Sequence, residues 1–343
     1  MMRVSAGTAA VLGLNEIKLA AAPTTAYLMT GEGCAYDCAF CTQARSASAQ
    51  RGALSRVIWP EYEVDNVAER LAHAAETGEL ERVCLQVVQG QGWRDDVAGL
   101  VKAVRGRGLP VSVSVHLARP EDVVELSAMG VDRVSIPIDA ATPELYAQIK
   151  GRPWEPTWRA LVKAAELLPG RVGTHLIVGL GETEAEMVRL MSELQKHDVN
   201  IGLFAFTPVR GTRMAAGSPP PMPVYRRIQT AHYLIRRGVV TAADMTFAAD
   251  GTIVDFGIAP ATLRAFLSGE PVSVRDRAFA PDEPGAAFRT SGCDGCNRPY
   301  YNERPGSEEY NYPAALSPRQ LSRCLAELGL TPAVASEAGG DGE

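Results

Sequence analysis

From Thr25 onward the chain alternates between two hydrophobic patterns. Short apolar or β-branched runs at Ala26–Thr30, Arg82–Val88, Pro110–His116, Arg133–Ile138, Gly173–Val178 and Gly202–Thr207 read as buried parallel strands, which lack strict in–out alternation. Between them, Val64–Thr77, Asp95–Arg107, Pro120–Met129, Trp158–Leu168 and Thr183–His197 carry apolar residues at helical spacing. Gly78, Gly106, Gly108 and Gly130 lie near the helix ends as stop signals. Pro223–Gly238 predicts a sixth helix and Ala243–Phe247 a further strand. Six or more βα units in succession predict an α/β fold, a partial parallel (β/α)6-type TIM barrel, rather than an open doubly wound sheet. No GxGxxG follows the first strand, which weakens the dinucleotide-binding alternative.

The pattern also divides the chain. Residues 1–23 read as an N-terminal arm ending at Pro23, and residues 24–270 as the barrel. Residues 271–330 read as an irregular C-terminal extension, rich in Pro and Gly between 280 and 315, of the kind that wraps a functional site. Residues 331–343 are small, polar and acidic and are expected to be disordered.

Composition narrows the function classes. A net charge of −6 and a pI near 5.6 argue against a nucleic-acid backbone binder. No apolar run approaches the roughly 20 residues of a membrane helix, and Met1–Gly13 lacks a secretory layout, so a cytoplasmic protein is expected. The chain has seven cysteines: Cys34, Cys38, Cys41, Cys84, Cys293, Cys296 and Cys324. An odd count argues against a disulfide framework, and five of the seven fall in two tight groups that suggest metal ligation.

The first group, Gly33-Cys34-Ala35-Tyr36-Asp37-Cys38-Ala39-Phe40-Cys41, directly follows the first strand, where a barrel keeps its active site. Thiolates at spacing 0, 4 and 7 suit three irons of a [4Fe–4S] cube and leave the fourth open. The same spacing also fits one buried helical stripe, and zinc is a further alternative, although zinc cysteines usually come as CxxC pairs. The triplet, with Phe40 before its last cysteine, resembles that of the radical S-adenosylmethionine superfamily. The resemblance implies a [4Fe–4S] cluster whose open iron chelates S-adenosylmethionine, and a 5′-deoxyadenosyl radical that removes hydrogen from an unactivated carbon.

Cys41-Thr42-Gln43, Arg82-Val83-Cys84, Gly130-Val131-Asp132 and Ile177-Val178-Gly179-Leu180-Gly181-Glu182 resemble the biotin synthase branch. That likeness implies that Asp139 binds the ribose hydroxyls of S-adenosylmethionine, while Val87 and Ile177 pack against its adenine and sugar. A carboxylate suits a diol because it accepts two hydrogen bonds, although Asp139 also reads as a cap for a helix starting near Thr142. Glu182 reads as a first-turn helix residue. The departures from the branch are informative. Of its three barrel cysteines for a second, sacrificial cluster only Cys84 is matched; the other two positions are Ser112 and Gly173, and no arginine lies in residues 243–251. Ser135-Ile136-Pro137 replaces the paired asparagines that bind the biotin precursor, so biotin formation is not expected.

The second group is Cys293-Asp294-Gly295-Cys296, followed by Asn297-Arg298-Pro299-Tyr300-Tyr301-Asn302-Glu303. With no second CxxC, a four-cysteine zinc site cannot form locally; a structural pair or a redox dithiol stays open. The sharper expectation is an auxiliary iron–sulfur cluster on Cys293, Cys296 and Cys84, the last placed at the mouth-facing end of its strand. Cys324 competes for that role, but it shares a helical stripe with Leu321, Leu325 and Leu328 that fits a packed core.

The 296–306 segment, Tyr310-Asn311-Tyr312-Pro313 and Thr24-Thr25-Ala26-Tyr27-Leu28-Met29-Thr30 resemble the two-protein lipoyl synthases. That resemblance implies sulfur insertion at C6 or C8 of an octanoyl chain on a carrier-protein lysine, with a sister sulfur-inserting protein and a ferredoxin or flavodoxin reductant as partners. Tyr300, Tyr301, Tyr310 and Tyr312 would line a tunnel or pack the extension, and His116 and His175 read as core histidines. Two alternatives stand beside this reading. One is another biotin-synthase-like enzyme, for amino-acid rearrangement or metallocluster maturation, with a structural CxxC. The other is a non-catalytic iron–sulfur or zinc assembly protein.

Overall fold

Strands buried on both faces need helices on one side and packed side chains on the other, and the chain supplies both in alternation. The computed structural model describes residues 1–31 and 33–330. Its main sheet comprises β1 (Met2–Val4), β2 (Thr25–Thr30), β3 (Glu61–Tyr62), β4 (Arg82–Val87), β5 (Val111–Ser114), β6 (Arg133–Ser135), β7 (Val172–Val178) and β8 (Asn200–Ala205). Their order is β8-β7-β6-β5-β4-β2-β1-β3. The six strands from β2 to β8 that skip β3 are parallel, each beside its predecessor in this series. This is a partial barrel; its sheet ends at β8 on one side and β3 on the other, and these two edges are not paired with each other.

Helices α1 (Ala6–Val11), α2 (Val64–Glu76), α3 (Trp93–Val104), α4 (Asp122–Met129), α5 (Pro143–Lys150), α6 (Trp154–Leu167), α7 (Glu184–Lys196), α8 (Met222–Arg236), α9 (Pro260–Leu267) and α10 (Pro318–Glu327) complete the framework. In α2, Val67, Leu71 and Ala74 are buried, a spacing of four and three that turns one face to the core. A capping box between Thr183 and Glu186 starts α7.

Differences from the sequence expectations have local causes. Residues 1–23 are not a free-standing arm, because β1 pairs antiparallel with β2 and buries Met2 and Val4 completely. Strand β6 ends at Ser135 rather than Ile138, since Pro137 has no N–H to continue the ladder. Helix α6 begins at Trp154 rather than Trp158; Pro156 falls in its first turn, where its missing N–H costs nothing. The predicted strand 243–247 is reduced to Thr246–Phe247, paired with Ile253–Asp255 outside the barrel.

Within the 271–330 extension, Val272–Val274 pairs with Arg277–Phe279, and α10 packs against α8. Arg226 of α8 is fully buried and anchors the extension, donating to Glu327 at 2.8 Å and to the carbonyls of Glu309 and Tyr310 at 2.6 and 2.7 Å. Cys324 is buried in this packing beside Tyr312, away from the other cysteines, as its helical stripe predicts. The expectation of disorder for 331–343 lies outside the described residues.

Candidate functional site

The loop after β2 carries the cysteine triplet at the C-terminal end of the strands. Its entry is tight: a Cβ on Gly31, at φ +67, would lie 2.8 Å from the Val88 carbonyl oxygen. Backbone bonds tie the loop to its neighbours, from Ala35 N to Gln89 O (2.8 Å) and from Ala39 N to Ile149 O (2.7 Å). The residues after Cys41 act as pins. Thr42 Oγ1 and Gln43 Nε2 donate to the Ala53 carbonyl at 2.7 and 2.6 Å, fastening the 51–53 segment over the loop. Burial, then Cys38, pushes the free Cys41 thiol up to about 12, so iron binding has to displace its proton.

Asp139 lies where the chain leaves β6, in the left-handed region at φ +62. Its backbone bridges β7, with its N–H on His175 O and its carbonyl taking Ile177 N, both at 2.8 Å. The cap of α5 is Thr142, whose hydroxyl accepts from Leu145 N, so Asp139 is not spent on capping. Instead its carboxylate pairs with Lys150, the last residue of α5, and both side chains are buried. The Lys150 ammonium lies 5.6 Å from the centre of the Phe40 ring. Burial works against its charge, but Asp139 and Cys38 more than offset this and raise its pKa. Beside it, Arg152 stacks on Tyr36 at 4.1 Å and holds Tyr146 Oη. The sequence reading missed both cations; the signal was their place at the end of a helix whose N-cap follows Asp139 by three residues.

Val87 and Ile177 line one continuous cavity of about 310 Å3 with Phe40, Asp139 and all three triplet cysteines. Arg152 Nη1, His116 Nδ1 and Trp59 Nε1 on its wall are buried with no hydrogen-bond partner among the described residues. Such orphaned donors and acceptors fit a polar ligand beside the triplet. His116 is held neutral, its pKa lowered to about 3 chiefly by burial.

The opposite end of the same cavity is closed by the second cysteine group. Cys84 is the third residue of β4, level with Ser112 of β5, so it faces this lower end and not the mouth expected for it. Burial, then Cys293 and Cys296, drives its thiol pKa up, and all three cysteines line this cavity. Each meets a polar side chain of a different strand. Gln86 Nε2 donates to Cys84 Sγ at 3.1 Å, Tyr27 Oη lies 3.4 Å from Cys296 Sγ, and Ser112 Oγ lies 3.9 Å from Cys293 Sγ. Arg82 Nε, also on the cavity wall, is buried and unpartnered among the described residues. Among the described residues no three His, Cys, Asp or Glu side chains converge tightly enough for one metal ion. A cluster takes each thiolate at a separate iron and needs no such convergence.

The CxxC loop is held from all sides. Thr24 Oγ1 donates to Gly295 O, Arg133 pairs with Asp294 at 2.9 Å, and Asn200 Nδ2 donates to Gly292 O at 2.7 Å. Arg298 lies over Phe204 at 3.8 Å, and Tyr301 meets the same ring edge-on at 5.3 Å. Tyr301 lines the same cavity: burial raises its pKa most, followed by Cys41, with Cys84 contributing as well. His175 also faces the cavity and is kept neutral by burial, with a pKa lowered to about 4.

The strand-end triplet on a partial barrel defines a class. Residues 28–194 match the family model described as the Radical SAM superfamily. That family uses a [4Fe–4S] cluster and S-adenosylmethionine. Within it the likeness runs to the biotin-synthase-like branch. The chain is 26% identical to biotin synthase of Ruegeria pomeroyi over 199 residues, covering 53% of this chain and 58% of that protein. Against biotin synthase of Azorhizobium caulinodans it is 30% identical over 224 residues, covering 61% and 64%. It thus spans about three fifths of the length of these curated relatives. Among solved structures, methylornithine synthase superposes with a TM-score of 0.48 at 15% identity, covering 63% of this chain and 62% of that one. No helix among the described residues is long and apolar enough to cross a membrane.

Proposed function

We propose that this protein is a radical S-adenosylmethionine enzyme that inserts sulfur into an octanoyl chain carried on a protein lysine. One observation carries the reading: a second set of three thiols, Cys84, Cys293 and Cys296, closes the far end of the cavity that begins at Cys34, Cys38 and Cys41. Cys293 lies against Ser112, one of the two positions where the biotin synthase branch has a cluster cysteine and this chain has none. The extension thus supplies sulfur ligands where the barrel strands lack them.

Bound in these two places, a [4Fe–4S] cluster with S-adenosylmethionine would supply a 5′-deoxyadenosyl radical, and an auxiliary cluster would supply sulfur. The chain's own residues do the rest. Cys34, Cys38 and Cys41 would hold the first cluster, and Asp139 with Lys150 fixes charge beside it. Val87, Ile177, Phe204 and Tyr301 give the cavity that both thiol sets line an apolar wall, which suits an alkyl chain and excludes water. A lipoyl carrier bearing octanoyl-lysine, a sister sulfur-inserting protein and a ferredoxin or flavodoxin are the partners this reading requires.

The test has two parts. Anaerobic reconstitution is expected to give about 8 irons per chain, falling to about 4 in Cys293→Ala/Cys296→Ala. The reconstituted wild type, with reductant, S-adenosylmethionine and an octanoylated carrier, is expected to yield a product whose mass has gained sulfur. About 4 irons in both proteins, with S-adenosylmethionine cleaved and no sulfur added, would sink the proposal. A second reading is favoured by the Lys150 and Arg152 cations on the cavity wall, which suit a small anionic substrate such as an amino acid. It predicts deuterium transfer from that substrate to 5′-deoxyadenosine and no sulfur-containing product.

A further inference from the structure

The second thiol set is the one place among the described residues where every sulfur has a polar partner from the barrel, and the three partners come from three different strands. We infer that Tyr27 and Gln86 are positioning residues that hydrogen-bond the cysteine ligands of the auxiliary centre and raise its reduction potential. This rests on the two-cluster reading above and goes beyond it, because it assigns a role to residues that bind no iron.

The direction of each bond follows from the chemistry. A cysteine bound to iron is a thiolate and has no proton to give, so the phenol and the amide must both donate. Tyr27 Oη already accepts from Arg298 N at 3.0 Å, which leaves its own proton free to point at Cys296 Sγ, 3.4 Å away. Gln86 Nε2 reaches Cys84 Sγ at 3.1 Å, two residues along the same strand and on the same face. Ser112 Oγ, which takes a hydrogen bond from Arg82 Nη1 at 2.9 Å, is oriented in the same way toward Cys293, though at 3.9 Å its bond is the weakest of the three. Donors on ligand sulfurs withdraw electron density from the cluster and favour its reduced form. Because Tyr27 and Gln86 sit on β2 and β4, paired parallel strands, their geometry is fixed by the sheet and not by the mobile freedom of a loop.

The experiment uses the full chain with Cys34, Cys38 and Cys41 all replaced by Ala, so that only the auxiliary centre remains. On that background, Tyr27→Phe and Gln86→Leu are each reconstituted, counted for iron and sulfide, and titrated with reductant by electron paramagnetic resonance. Both variants are expected to keep about 4 irons and to show a midpoint potential more negative than the parent. An unchanged potential in both variants overturns the inference. Loss of iron in Tyr27→Phe with the fold intact by circular dichroism also overturns it, since the phenol oxygen would then be a ligand. A parent that binds no iron removes the two-cluster reading itself and this inference with it.

Discussion

Glu303 is buried on the extension, and its Oε2 has no hydrogen-bond partner among the described residues. Burial, then the neighbouring Glu309, raises its pKa from 4.5 to about 7. Between those values the folded chain holds a proton that the unfolded chain has released. Stability is therefore fully present below about pH 4.5, declines as pH rises toward 7, and is level above that. At 1.36 kcal/mol per unit the decline is about 3 kcal/mol at most. Glu303→Gln is expected to be more stable than wild type at pH 8 by roughly 1–3 kcal/mol and nearly equal to it at pH 4.5. Urea midpoints at the two pH values check this; an equal gain at both would trace the effect to packing and not to charge.

At the scale of elements, α5 shows what sequence reveals and what it hides. Its start was legible from Thr142-Pro143, a capping hydroxyl followed by a proline at the first helical position. The CxxC pair Cys293–Cys296 and the triplet were legible for a similar reason: their meaning lies in local spacing. Lys150 was not, because its partner Asp139 is 11 residues away and meets it only once α5 has folded back over the segment that leaves β6. The polar trio of Tyr27, Gln86 and Ser112 was hidden likewise, since three strands must come into register before those side chains share one end of the barrel. Cys84 was identified as a ligand candidate but given the wrong end, because a strand's side-chain levels are set by its pairing and not by its sequence. Breaking the α5 pair tests its energetic weight. Lys150→Met leaves the Asp139 carboxylate buried and unpaired and is expected to cost about 3–5 kcal/mol. Adding Asp139→Asn should recover much of that loss, as a double-mutant cycle by denaturant unfolding would show. Additive losses would mean that the two side chains act independently.

For the whole molecule, the open seam of the barrel is the decisive feature. Strand β8 is an edge, and the N–H groups of Leu203 and Ala205 point away from β7 toward the gap. No strand pairs with this edge of β8 among the described residues; side chains of the extension bind it instead. Ser291 Oγ accepts from Leu203 N at 2.8 Å, and Asn302 Oδ1 lies 3.4 Å from Ala205 N while its Nδ2 donates to Ala205 O at 2.6 Å. The same segment then ties to the start of β2, where Asn297 accepts from Thr24 N at 3.0 Å and donates to Ala22 O at 2.9 Å. The extension thus bridges β8 and β2, and in doing so carries Cys293 and Cys296 to Cys84. Closing the seam and building the second thiol set are one structural act. Ser291→Ala and Asn302→Ala should therefore speed amide exchange at Leu203 and Ala205 by about five- to tenfold, taking about 1–1.5 kcal/mol for each lost bond. Amides of β5, in the middle of the sheet, should be unaffected. If the extension is merely draped over a self-sufficient barrel, exchange at Leu203 and Ala205 will not change. The iron content of the same two variants separates the possibilities further, because a loosened bridge lowers occupancy at Cys293 and Cys296 while leaving the Cys34–Cys41 set full.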